Sequence, residues 1–223
     1  VSSPGSPSVL VQTTADAVLE LLGTSSLTVG GDLAATATPT APFSFAAGTT
    51  VTFDGSTDQS LGGASPAGTI AFGTLAIANT GSPGTIEVTA ADRAAATDLS
   101  AAAVTIGDGK LSVAAGAALD VNGSLLVQSA ADSAFEMLGA STLTISGNFT
   151  ADTVNASAIS LAGATTVTFD GATDQSIGGA NTAQTFAFGT LILANTGAPA
   201  SVEVTVADRS GVTDLSAATL NVN

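Results

Sequence analysis

The segment TVTFDGSTDQSLGG beginning at Thr50 returns as TVTFDGATDQSIGG beginning at Thr166, a period of 116 residues. The register holds on both sides without a gap. Phe72 opens FGTLAIANTG where Phe188 opens FGTLILANTG, and Leu22-Gly23, Leu27-Thr28 and Leu10-Val11-Gln12 match Leu138-Gly139, Leu143-Thr144 and Leu126-Val127-Gln128. At this offset residues 1–107 align with 117–223, and about half of the pairs are identical. Such a chain must adopt a fold that two copies of one unit can build, by stacking on each other or by folding side by side. The units are 1–116 and 117–223. Val1 to Pro7 read as a Pro/Ser linker where the second copy has a strand-like stretch, and the second copy stops in mid-period, with no counterpart of residues 108–116.

Within each unit short alternating groups recur: Leu27-Thr-Val29, Val51-Thr-Phe53, Leu75-Ala-Ile77, Val104-Thr-Ile106, Leu111-Ser-Val113 and Leu119-Asp-Val121. A period of two in Leu and β-branched residues, punctuated by Gly, Asn-Gly and Asp-Gly, predicts many short strands and an all-β fold. Two architectures fit, a parallel β-solenoid (β-helix) of two tandem 116-residue repeats or two β-sandwich domains. Spacing favours the solenoid, because between Val104 and Val127 the apolar pairs recur every six to eight residues, too closely for hairpin-length antiparallel strands. A rung of roughly 20 to 25 residues gives about five rungs per unit. The Ala-rich stretches Ala90 to Ala103 and Thr13 to Leu22 admit short helices as the lesser alternative. A thin core also suits the scarcity of aromatics: nine Phe, no Trp and no Tyr.

Charge and missing residue types exclude several functions. Eighteen acids against three basic residues give a net charge of −15, and Arg93, Lys110 and Arg209 are too far apart to form a basic groove, so nucleic acid is not a partner. Without His or Cys there is no thiolate, imidazole base, disulfide or soft metal site, and the only metal to consider is a hard cation on oxygen ligands, Ca2+. Polar residues and Gly interrupt every apolar stretch, so no run of about 20 apolar residues is available for membrane insertion. The acidic, nearly Lys-free composition suits an extracellular or cell-surface chain.

Val51, Phe53, Gly55, Gln59, Leu61 and Gly63, followed by Phe72, Leu75, Ile77 and Asn79, together with their copies at Val167, Phe169, Gly171, Gln175, Ile177, Gly179, Phe188, Leu191, Leu193 and Asn195, form a degenerate pattern. The pattern resembles the β-strand repeats of large bacterial extracellular surface, filament and adhesin proteins. That resemblance covers about a quarter of each unit and implies a solenoid-like stalk rather than a particular activity.

Asp54 and Asp58, with their copies Asp170 and Asp174, lie in Gly-containing turns where they either cap backbone N–H groups or offer carboxylates to Ca2+. Asp92, Arg93 and Asp98, repeated as Asp208, Arg209 and Asp214, read as a local charge clamp. Gln59 and Gln175 are expected to point inward and satisfy backbone groups between rungs, and Asn79 and Asn195 to mark turns. Thr50-Val-Thr52 and Thr166-Val-Thr168 are Thr pairs that recur at the long period, which argues against a regular array on every rung. No residue set looks catalytic. The expectation is a structural segment that assembles head-to-tail with other copies of itself through open β edges. The alternatives are an adhesin for a surface glycan, a cell partner or, through the Thr rows, an ice surface, and, more weakly, a polysaccharide lyase or hydrolase, which would lack the Trp or Tyr that usually lies under a sugar ring.

Overall fold

The computed structural model describes residues 9–11, 18–35, 42–62, 69–81, 87–90, 98–128, 130, 132–153, 157–179, 185–197, 204–205 and 214–223. The first described turn holds β1 (Val9–Val11), β2 (Leu19–Leu21) and β3 (Ser26–Val29), and the second β4 (Leu33–Ala35), β5 (Phe43–Phe45) and β6 (Thr50–Phe53). Next come β7 (Gln59–Gly62) with the long β8 (Thr69–Ala78), and β9 (Glu87–Ala90) with the long β10 (Asp98–Asp108). Three strands per turn resume in β11 (Lys110–Val113), β12 (Ala118–Val121) and β13 (Leu125–Val127), then in β14 (Ala134–Met137), β15 (Thr142–Ile145) and β16 (Phe149–Ala151), and again in β17 (Ile159–Leu161), β18 (Thr166–Phe169) and β19 (Gln175–Gly178). The last are β20 (Thr185–Leu193), β21 (Val204–Thr205) and β22 (Asp214–Val222).

Every pairing among these strands is parallel, with partners one coil apart, so the chain is a β-solenoid and not a pair of antiparallel sandwiches. On the first face, β1-β4-β7-β9-β11-β14-β17, register links Val9, Leu33, Leu61, Ala90, Val113, Met137 and Leu161. Those six turns take 152 residues, about 25 per turn. A second face runs β10-β12-β15-β18-β20-β22, and a third runs β3-β6-β8-β10-β13-β16-β19-β21. β10 joins the second and third faces because its first half pairs β12 and its second half pairs β13. The sheets pass through residue 116 without a break. Among the described residues there is no helix: Asp98–Ala103 and Leu19–Leu21 are strands, while residues 12–17 and 91–97 lie outside the description, as do Val1 to Pro7.

Alternation drives this coil. In Thr50–Phe53 and Thr166–Phe169 every second side chain is buried, and the inward residues stack on their register partners. Val29, Phe53, Ile77, Ile106, Val127 and Ala151 form one buried column, and Leu99, Leu119, Leu143, Val167 and Leu191 another. Each fully buried Val, Leu, Ile or Phe contributes about 1.5–3 kcal/mol. Phenylalanines fill the wider part of the interior: Phe149 meets Phe135 and Phe186 edge-on at 6.0 and 5.3 Å, and Phe186 stacks on Phe188 at 6.4 Å.

The sequence period and the coil are out of phase. Val9–Val11 lie on the first face, but their copies Leu125–Val127 lie on the third. Ser26–Val29 lie on the third face, and their copies Thr142–Ile145 on the second. One period of 116 residues is therefore four and two-thirds turns of about 25 residues, and the second copy is turned by one face of three.

Candidate functional site

The motif common to both copies builds a corner of the coil. The Gln59 side chain is 2 % exposed. Its Nε2 donates to the carbonyls of Val29 (2.8 Å) and Gly31 (2.6 Å) on the preceding turn, while its Oε1 accepts from Gly55 N–H (3.0 Å). Asn79, on the following turn, donates through Nδ2 to Gln59 Oε1 (2.9 Å) and to the Thr57 carbonyl (3.1 Å), and its Oδ1 accepts from Gly81 N–H (3.3 Å). A carboxamide suits this place because it donates twice and accepts twice in one plane. Gly55 is required beside it, since an added Cβ would lie 2.7 Å from both Gln59 Cδ and the Gly30 carbonyl oxygen.

The second copy repeats the corner. Gln175 donates to the Ile145 and Gly147 carbonyls (both 2.8 Å), and Gly171 N–H donates to Gln175 Oε1 (2.9 Å). Asn195 reaches Gln175 Oε1 at 3.4 Å and the Thr173 carbonyl at 2.7 Å. The glutamines thus join successive turns as their sequence position suggests. The asparagines do more than mark a turn, because each also hydrogen-bonds the glutamine of the turn before it.

At this corner the glutamines take the turn N–H groups of the glycines, and Asp32 Oδ1 accepts from Ser60 N–H at 2.8 Å. Asp54, Asp58 and Asp174 are exposed, and the turn N–H groups of Gly55 and Gly171 go to the glutamines instead. Asp170 is half-buried, and its Oδ1 accepts from Ser146 Oγ at 2.8 Å. The first copy has Gly30 in place of Ser146, so Asp54 has no such donor. Asp54 and Asp58 follow β6 on the third face, whereas Asp170 and Asp174 follow β18 on the second, so the four carboxylates are not brought together. Among the described residues no group of three or more acidic side chains is placed to hold a metal ion. Of the charge clamps, Asp92, Arg93, Asp208 and Arg209 lie outside the described residues, while Asp98 Oδ1 accepts from Ala118 N–H on the next turn at 3.1 Å.

Two acid pairs that sequence spacing does not reveal arise from stacking. Burial raises the Asp108 carboxyl above its ordinary range, helped by a hydrogen bond and repulsion from Asp132 one turn on. Burial also raises Asp120, with repulsion from Asp170 adding to it. On the first face Lys110 pairs with Glu136 at 3.1 Å, and Ser112 Oγ donates to the same carboxylate at 3.2 Å.

The Thr pairs do not recur on every turn, as the long period suggests, but single hydroxyls stack beside them on the neighbouring turns. Thr50 and Thr52 lie in register with Ser26 and Thr28 before them and with Thr74 and Ala76 after them. Comparing residues 116 apart conceals neighbours that are only 24 apart.

These features define a parallel β-solenoid with a carboxamide-tied corner and regular outer faces. No family model, curated protein or solved structure matches the chain.

Proposed function

We propose that this chain is a non-catalytic structural segment of an extracellular filament, stalk or surface layer, extended by stacking copies end to end through β edges. The observation that carries this reading is where exposed apolar side chains fall. Of the seven large hydrophobic residues exposed among the described residues, Leu10, Val18 and Leu22 lie on the first described turn, and Leu215, Leu220 and Val222 on the last strand. Leu22 is 64 % and Val222 70 % exposed, and of the seven only Leu138 lies between these two groups. Among the described residues β22 pairs on one side only, through β20, with Leu220 and Val222 exposed beside that edge. Such an edge is a template for another strand, and a contact between opposite ends propagates instead of closing on itself. The −15 charge keeps the outer faces apart while the ends join.

Sedimentation across a concentration series with electron microscopy of the same samples tests this reading. The expected result is concentration-dependent growth into unbranched fibres one solenoid wide. That growth should cease when Leu220→Lys and Val222→Lys place charges on the last strand. A monodisperse monomer at high concentration, with no fibres, would overturn it.

A further inference from the structure

The second face carries an uninterrupted hydroxyl ladder. Thr142, Thr166, Thr190 and Thr219 are register partners on the four consecutive strands β15, β18, β20 and β22, and Thr144 and Thr168 begin a parallel column that Ile192 and Asn221 continue. The third face carries a second, shorter ladder in Ser26, Thr50 and Thr74 beside Thr28 and Thr52. Strand pairing sets the hydroxyls about 4.8 Å apart along the axis and about 6.6 Å apart along each strand, and branching at Cβ restricts their χ1.

Three observations indicate what such a face binds. First, its hydroxyls are uncommitted: among the described residues none of Thr142, Thr144, Thr166, Thr168, Thr190 and Thr219 hydrogen-bonds to the protein through its side chain. The inward corner hydroxyls Thr49 and Thr165, by contrast, donate to the Ala46 and Gly139 carbonyls. Second, no charged side chain lies among residues 142–145, 166–169, 190–193 and 219–222, which form the patch, in a chain with 18 acids; Asp120 and Asp170 stand at its border, and Asp214 lies in the first half of β22, outside it. The ligand is thus uncharged, since a charged one would have nothing to offset its loss of hydration. Third, the patch covers on the order of 200 Å², well below the ~800 Å² per partner of a stable protein interface. The chain also has no Trp or Tyr to stack on sugar rings, and its Phe residues face the interior. Neither a folded protein nor a glycan fits as well as an extended lattice of water, an uncharged partner that a regular array of free hydroxyls can hydrogen-bond at each position. The Thr methyl groups between the hydroxyls order the water above them in the same sense.

We propose that the two Thr/Ser ladders are ice-binding faces. This does not depend on end-to-end stacking, because each ladder lies on a lateral face of a single chain.

The test is partition of the full chain into slowly growing ice, together with microscopy of ice recrystallisation, for four proteins: the natural chain, Thr166→Lys, Thr50→Lys and the double variant. Far-UV circular dichroism and melting curves verify that each remains folded. The expected result is enrichment of the natural chain in the ice fraction and arrest of crystal coarsening. Each single variant should lose part of both effects, and the double variant all of both. Exclusion of the natural chain from ice, unchanged activity in the double variant, or binding to crystalline neutral polysaccharide without any effect on ice would each overturn the proposal.

Discussion

Asn79 Nδ2 lies 2.9 Å from Gln59 Oε1, one coil away, and the same glutamine donates to two carbonyls of the coil before it. One side chain therefore fixes the register of three successive turns in a place from which water is excluded. Its copy is looser, with Asn195 at 3.4 Å from Gln175 and only half-buried.

Gln59→Leu leaves the Gly31 carbonyl, Gly55 N–H and one Asn79 donor without partners, while the Val29 carbonyl keeps only its bond from Asp54 N–H. A buried unmet group costs about 1–3 kcal/mol, so urea unfolding should show a loss of about 3 kcal/mol or more. Gln175→Leu should cost measurably less, because Asn195 and Gly197 are partly open to solvent. Equal losses at the two sites would show that burial does not set the strength of the corner.

Glycines divide into two kinds, and substitution distinguishes them. A Cβ on Gly73 would collide with the Thr49 carbonyl oxygen and lie 2.6 Å from that of Ala47, both backbone atoms that cannot give way. Gly73→Ala should cost about 3–5 kcal/mol, in the range reserved for severe steric lesions. Gly116 has a φ of +82° but nothing within 4 Å of an added Cβ, so Gly116→Ala meets only the left-handed backbone penalty of about 1–2 kcal/mol. Melting temperatures of the two variants check the order.

Acidity should stabilise the fold at first. Asp108 and Asp120 have carboxyl pKa values raised above 3.8 in the folded chain, chiefly by burial and then by Asp132 and Asp170. The folded state then holds more protons than the unfolded state just above pH 3.8, and stability falls as pH rises through that window. Asp108→Asn removes the cost of keeping a charged carboxylate there. It should raise the unfolding free energy at pH 7 and lose that advantage below pH 3.8. Denaturant titrations at several pH values measure both limits, and a variant no more stable at neutral pH would contradict the argument.

The all-β class, the parallel coil and the inward glutamines were legible because they follow from local alternation, which puts Gln59 on the same inward side of its strand as Leu61 in Gln59-Ser60-Leu61. The Gln59–Asn79 tie was not, since the two residues are 20 apart and meet only once the coil length is known. Asp54 looked like the cap of its own turn, but the geometry of the turn gives Gly55 N–H to a side chain four residues on. The Asp120–Asp170 pairing arises two coils apart, and the Thr ladders join residues 24 or 29 apart, spacings that the 116-residue identity masks.

The phase between sequence period and coil yields the sharpest geometric prediction. Thr28 and Thr150 belong to one column of the third face, linked through Thr52, Ala76, Thr105 and Leu126, five turns and hence about 24 Å apart along the axis. Thr28 and its copy Thr144 are closer in sequence and separated by only about 22 Å of rise, but they lie on different faces. The chain has no cysteine, so Cys pairs placed at these positions can be spin-labelled without background. Pulsed electron paramagnetic resonance should give a longer distance for Thr28→Cys with Thr144→Cys than for Thr28→Cys with Thr150→Cys, although the first pair has fewer residues between its labels. The reverse order would mean that 116 residues make a whole number of turns and that both copies share one face. With the expected order, each further copy would turn by another third, so that three periods, 348 residues or about 14 turns, would return a surface feature to its starting direction about 67 Å along the axis.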